Sequence, residues 1–337
     1  MHVAIRADGG PEIGYGHLIR TGALASRLLR RSHRVTYVTT TSKYVDDVAP
    51  SDVETKELPS RTDVTPLVKW LDGSDVDVVV VDSYLADAGY QRSIRDLKPL
   101  VLVSDDTRHP VCADAVVNGN IYAPRLDYGI RGGRPRWFLG PNYVLLRQEI
   151  TQLADQTPRW RNSPNRAIIT MGGSDVTNST PDAVQAFDGT GLRLDVVVGP
   201  GFTNENEIRT VADNVTADTH VVQVPQNLPE LMFKADFAVG ACGSTTYELL
   251  ALGTPLVCSP VVENQERIAS ALSKREIAIV VEETDRKEGF RRGVTRYLEH
   301  SNFRRERQDR GRNIIDGHGT ERVCAELLSI AGNKTVS

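Results

Sequence analysis

Between Val76 and Asp82 the chain reads Val-Asp-Val-Val-Val-Val-Asp, and the unbroken apolar run at 78–81 constrains the fold more than any other stretch. Consecutive strand residues point to opposite faces, so four valines in a row leave no face for water. Such a strand is covered on both sides, as in a parallel sheet flanked by helices. The rest of the first half agrees, with Val3-Ala4-Ile5 preceding an amphipathic stretch from Leu18 to Arg31, then Val35–Thr39. A helical pattern at 67–71 leads into the valine run, and another from Gly89 to Leu97 leads into Leu100–Val103. Asp82 and Asp105 follow the apolar runs directly. At the carboxyl ends of strands in an open α/β sheet they stand where ligands bind, although either can instead cap a helix or sit in a turn.

From Gln148 to Arg166 the chain is polar, contains Pro158 and Pro164, and shows no periodicity, which predicts a connection between domains. The strand–helix alternation then restarts at Ala167–Thr170 and continues through 194–198, 220–224, 237–239, 256–258 and 277–281. The expected architecture is α/β with two Rossmann-like domains and a cleft between them. The boundaries read 1–147, a connection at 148–166, a second domain at 167–303, and terminal helices at 304–337.

With 40 basic and 44 acidic residues the chain is near charge balance, so no basic surface argues for nucleic acid. Cys112, Cys242, Cys258 and Cys324 form no CxxC pair and no His/Cys cluster at metal spacing, so neither a metal nor a cofactor is expected. No apolar run reaches membrane-spanning length, and the first residues do not read as a secretory leader. A cytoplasmic location is expected, with a monomer as the simplest state.

Gly14-Tyr15-Gly16-His17-Leu18-Ile19-Arg20 links the first strand to the first helix. Gly14 and Gly16 permit a tight turn and close approach of a ligand, and the helix start offers unpaired N–H groups. His17 there is suited to moving a proton near neutral pH. In the second half, Gly172-Gly173-Ser174-Asp175 and Gly243-Ser244-Thr245 each lie between a strand and a helix, as phosphate cradles do, although the first can equally be a simple tight turn. Glu248 falls one turn after Ser244 and can accept ribose hydroxyls; the alternative makes Ser244 a helix cap and Glu248 a surface charge. Asn264 and Gln265 offer paired donors and acceptors for a sugar, or a cap for the next helix.

The order G-S-T-x-x-E, L-G-T-P, N-Q-E in the second half resembles the C-terminal half of GT-B enzymes acting on UDP-sugars, the MurG-like group. R-x-D at 6–8, G-x-G-H-x-x-R, D-x-Y at 82–84 and Y-x-L-L-R-x-E at 143–149 narrow this to the PseG/SpsG-like UDP-sugar hydrolases. The similarity covers nearly the whole chain. It implies that His17 activates water to displace UDP with inversion at the anomeric carbon. It also implies that Asp8, Gly14, Gly16, Arg20, Tyr84, Asn264 and Gln265 meet the sugar. Gly172, Gly173, Ser174, Asp175, Gly243, Ser244, Thr245 and Glu248 are implied to hold the nucleotide of a UDP-diacetamido-trideoxy sugar, in pseudaminic-acid-type or surface polysaccharide biosynthesis. Ser83 departs from a position where a histidine can occur. Two other readings stay open: a MurG-like glycosyltransferase, in which an acceptor hydroxyl replaces water, and a nucleotide-sugar-binding protein without turnover. An NAD-type Rossmann enzyme fits less well, because the first turn is G-x-G-H and not G-x-G-x-x-G.

Overall fold

The computed structural model describes residues 1–46 and 48–333. The chain divides into two compact units, one built from Met1–Gln148 together with the segment from His318 onward, the other from Glu149–Gly317.

The first unit carries seven strands: β1 (His2–Ala7), β2 (Arg34–Thr39), β3 (Glu54–Glu57), β4 (Val78–Asp82), β5 (Leu100–Val103), β6 (Ala115–Asn118) and β7 (Arg136–Leu139). They pair in the order β3-β2-β1-β4-β5-β6-β7, every pair parallel. Val78–Val81 are fully buried, as the apolar run requires, and the sheet packs into one hydrophobic cluster on each face. One cluster contains Val3, Ile5, Val78 and Val80, and the other Ala4, Val79 and Val81, so neighbouring residues on one strand serve opposite faces. Because the strand order reverses between β1 and β4, the loops leaving their carboxyl ends diverge and open a crevice.

The second unit repeats the plan with β8 (Arg166–Thr170), β9 (Arg193–Val198), β10 (Asp218–Gln223), β11 (Phe237–Ala241), β12 (Leu256–Ser259) and β13 (Ile279–Val280). Its order is β10-β9-β8-β11-β12-β13, again all parallel, with the reversal between β8 and β11. The expected class, two parallel-sheet α/β domains, is the class found.

Three details differ from the sequence reading. Strands form at 54–57, 115–118 and 136–139, where none was expected. The start of the expected connection is helical (Gln148–Ala154), because Ile150 and Ala154 find buried positions. The terminal helices also part company. Ser301–Ile314 belongs to the second unit, where Gln308 donates to the Gly253 carbonyl at 3.0 Å. Gly319–Asn333 returns to the first, burying Val323, Cys324, Leu327 and Ile330 in the cluster that holds Val3 and Leu24.

Candidate functional site

In the first unit four side chains from the carboxyl edge of the sheet converge. The helix Gly16–Arg30 begins directly after the Gly10–Gly14 turn, in which Gly14 adopts φ +87°, and its first turn presents His17 and, three residues on, Arg20. Residues three apart share a helix face. Asp82 is the last residue of β4, paired in register with Ala7 of β1, and Asp105 follows β5. The switch point therefore lies between the strand that leads to His17 and the strand that ends in Asp82.

His17 Nδ1 lies 2.6 Å from Asp82 Oδ1. Arg20 donates to the same carboxylate from both sides, Nε to Oδ2 at 2.6 Å and Nη2 to Oδ1 at 2.6 Å. Its remaining nitrogen, Nη1, donates to both oxygens of Asp105 at 2.8 and 2.7 Å. Burial opposes the charge on Asp82, but Arg20 and His17 outweigh it and hold the carboxyl well below the usual carboxylate range. Burial likewise opposes the charge on Arg20, and Asp105 and Asp82 overcome it to raise the guanidinium further above its ordinary value. An ionised carboxylate only accepts hydrogen bonds, so Nδ1 of His17 must carry the proton and Nε2 must be bare in the neutral ring. Nη2 of Arg20 also lies 3.1 Å from Nδ1, a closeness that follows from sharing Oδ1, since a protonated nitrogen cannot accept.

Tyr84 closes the group from the other side. Its ring meets the His17 imidazole edge to face at 4.8 Å, and its hydroxyl donates to Asp105 Oδ2 at 3.0 Å. The guanidinium of Arg108 covers the Tyr84 ring at 4.2 Å. Burial, followed by the nearby Asp105, pushes the Tyr84 hydroxyl above its usual value, so it remains a donor at any ordinary pH. Asn120, just beyond β6, donates to Asp105 Oδ1 at 3.0 Å.

Of the residues expected at the sugar, His17, Arg20 and Tyr84 are brought together, and Gly14 and Gly16 form the turn beside them with open space where side chains would be. Asp8 is buried, with Arg6 at 2.7 Å and with Thr39, the Thr40 amide and the Thr40 hydroxyl donating to Oδ1. Burial opposes its ionisation, but Arg6 wins and lowers it. That carboxylate ties the end of β1 to the end of β2. Asp105 was visible in the sequence only as a strand-end aspartate, Asp82 as one and as the first residue of the D-x-Y motif, and Asn120 carried no signal at all.

In the second unit the glycine turns also sit on either side of the reversal. Gly172 (φ +89°), Gly173 and Ser174 follow β8, and Gly243, Ser244 and Thr245 follow β11. The first turn is locked to the loop after β9. Gly201 N–H donates to the Gly173 carbonyl at 2.8 Å, and a carbon added at Gly199 would stand 2.4 Å from the Gly172 carbonyl oxygen. Asp175 does not project freely, because its carboxylate accepts from the amides of Ser179 and Thr180 at 2.8 and 2.9 Å, and so caps the helix Thr180–Gln185. Ser244 occupies the cap position of the helix Thr245–Leu252 without a side-chain capping bond, and Glu248 is buried in that helix. Gln265 Oε1 accepts from the Val261 amide at 3.0 Å, and its Nε2 lies 3.3 Å from where a side chain at Gly243 would begin. Gly243 and Gln265 are thereby neighbours, and Asn264 is exposed in the short 3-10 turn Glu263–Gln265 beside them.

With this geometry in place, likeness to known proteins adds the following. No protein-family model matches the chain. The uncharacterized protein MJ1062 of Methanocaldococcus jannaschii is 28% identical over 76% of the chain, which spans only 55% of that relative's length. The spore coat polysaccharide biosynthesis protein SpsG of Bacillus subtilis is 25% identical over 98% of both chains. The UDP-2,4-diacetamido-2,4,6-trideoxy-β-L-altropyranose hydrolase of Campylobacter jejuni is 24% identical over 82% of this chain and 97% of its own. Among solved structures, MurG of Acinetobacter baumannii matches with a TM-score of 0.69 at 13% identity, covering 97% of this chain and 99% of that one. CalG4, the calicheamicin glycosyltransferase, matches at 0.67 and 16% identity over 98% of each. The fold is GT-B-like, and the expected similarity to SpsG and to the altropyranose hydrolase is found.

Proposed function

We propose that the protein is a UDP-sugar-processing enzyme that hydrolyses a UDP-acetamido sugar at its anomeric C1–O bond in polysaccharide or nonulosonate biosynthesis. The observation that carries the reading is the His17–Asp82 pair, a buried imidazole whose Nδ1–H is held by an ionised carboxylate. That pairing fixes one tautomer and turns Nε2 into an available base. The full-length likeness to SpsG and the similarity to a UDP-sugar hydrolase support the substrate class.

In the proposed reaction a water gives its proton to His17 Nε2 as its oxygen attacks C1. The C1–O bond breaks, and UDP leaves with the bonding electron pair. A nucleoside diphosphate is a good leaving group, so the step requires a base more than a general acid. Asp82 stabilises the imidazolium that forms, and attack opposite the leaving group inverts the anomeric centre. The backbone N–H groups at Gly172–Ser174 and Gly243–Thr245 are suited to the diphosphate, and Glu248 to the ribose. Arg20 and Asp8, expected at the sugar, also hold the framework through ion pairs to Asp82 and Asp105 and to Arg6. The cytoplasm and a monomeric state complete the proposal.

Incubation with UDP-2,4-diacetamido-2,4,6-trideoxy-β-L-altropyranose in the absence of an acceptor tests it. Equal amounts of UDP and free sugar are expected. UDP release that appears only when an acceptor alcohol is added would identify a glycosyltransferase instead, and tight UDP binding with no product over hours would identify a binding protein.

A further inference from the structure

Asp105 touches neither ring nitrogen of His17, yet two of the three side chains that face the imidazole end on its carboxylate. Arg20 is one arm. It grips both oxygens of Asp82 with Nε and Nη2 and reaches Asp105 with Nη1, so the position of the Asp82 carboxylate depends on where Asp105 holds the guanidinium. Tyr84 is the other arm, its ring against the imidazole and its hydroxyl on Asp105 Oδ2. Asp105 is itself fixed by Asn120 on Oδ1 and by the Tyr122 hydroxyl on its backbone carbonyl at 2.9 Å. We propose that Asp105 is a positioning residue, acting through Arg20 and Tyr84 to hold His17 in the Nδ1–H tautomer with Nε2 bare. This rests on the reading of His17 as the base only for its kinetic consequence, since the geometric claim stands apart from any substrate.

The charges support the same assignment. Asp82, Asp105 and Arg20 together carry one net negative charge beside a neutral imidazole, and none in sum once the ring is protonated. A second carboxylate therefore favours the imidazolium formed during turnover and keeps Arg20 from drawing Asp82 away from His17. The groups facing His17 are Asp82 and Tyr84 from β4 and its loop and Arg20 from its own helix, with Asp105 behind Arg20 and Arg108 behind Tyr84.

The test is ring ¹⁵N NMR of histidine-labelled protein at pH 9, where an ordinary imidazole is neutral, with the His17 signals assigned by His17→Gln. The wild type should show an N–H at Nδ1 and a bare Nε2, and Asp105→Asn should mix the two tautomers. An unchanged tautomer in folded Asp105→Asn overturns the proposal. In turnover of the diacetamido substrate, Asp105→Asn should lower kcat by about 10- to 100-fold with KM nearly constant, the usual effect of losing an outer support. The same substitution in a His17→Ala background should cost nothing further. A raised KM at constant kcat would make Asp105 a substrate contact, and an equal loss without His17 would make it a plain stabiliser; either overturns the proposal. If Asp105→Asn does not fold, Tyr84→Phe, which cuts one arm only, carries the NMR comparison. Full activity in His17→Ala defeats the reading of the base, and the NMR result still decides Asp105.

Discussion

A single histidine at the start of a helix has many uses, and its neighbours decide among them. His17 shares Asp82 Oδ1 with Arg20, so its proton is placed and its free nitrogen defined. His17→Ala should lower kcat by roughly two to four orders of magnitude, the usual worth of a general base, with UDP affinity unchanged by calorimetry. Asp82→Asn should approach that loss by allowing the wrong tautomer. Asp82 also governs acid stability. Its folded-state pKa lies below the unfolded value of about 3.9, so its contribution is full above that value and is lost as pH falls through the folded one. Urea midpoints measured from pH 6 to pH 3 should therefore fall less steeply in Asp82→Asn than in the wild type. Tyr84 runs the other way. Its raised pKa favours folding below pH of about 10 and that support fades as pH climbs, so Tyr84→Phe should be less alkali-sensitive. His17 and Tyr84 were legible in the sequence through their motifs. The roles of Asp82 and Asp105 were not, because a strand-end aspartate looks the same whether it caps a helix, turns a loop or holds an imidazole. In fact Asp87 caps the helix that follows β4, accepting from the Tyr90 amide at 2.8 Å.

At the scale of elements, the strands announced by longer apolar runs were readable, and the three missed ones lack such a run. β3 is Glu-Thr-Lys-Glu, wholly exposed at a sheet edge, and is held by its backbone pairing to β2 with no hydrophobic pattern to show it. β7 is also an edge strand, with its first two residues exposed, and in β6 only Val116 and Val117 are β-branched, between a small and a polar residue. Loops differ in the same way. A methyl group at Gly199 would collide with the rigid Gly172 carbonyl, whereas one at Gly243 meets only the flexible end of Gln265. Gly199→Ala should accordingly destabilise the fold by about 1–3 kcal/mol in chemical denaturation. Gly243→Ala should melt close to the wild type while weakening UDP binding in calorimetry, and unaltered affinity would remove that turn from the nucleotide site.

For the molecule as a whole, two repeats of one sheet plan were legible because the alternation stops at 148–166 and starts again. The path of the last helix was not, since a helix's own pattern shows that it has an apolar side but not which core receives it. Val323, Cys324, Leu327 and Ile330 lie in the core of the first unit, far along the chain from its other members. Ending the chain at Gly317 should expose that core and cost several kcal/mol at about 1.5–3 kcal/mol per large apolar side chain. Hydrogen exchange should then accelerate in β1, β4 and the helix Gly16–Arg30, and remain slow in β8, β9 and β11. Uniform loss of protection would show that the helix matters to both units.

In the proposed reaction His17, oriented by Asp82, activates water against the anomeric carbon of a UDP-sugar. Turnover of the UDP-diacetamido-trideoxy-altropyranose in H₂¹⁸O, followed by mass spectrometry of both products, tests it most directly. One ¹⁸O is expected in the released sugar, none in UDP, and almost no labelled sugar from His17→Ala. Label in the phosphate of UDP, or undiminished labelling of the sugar by His17→Ala, would contradict it.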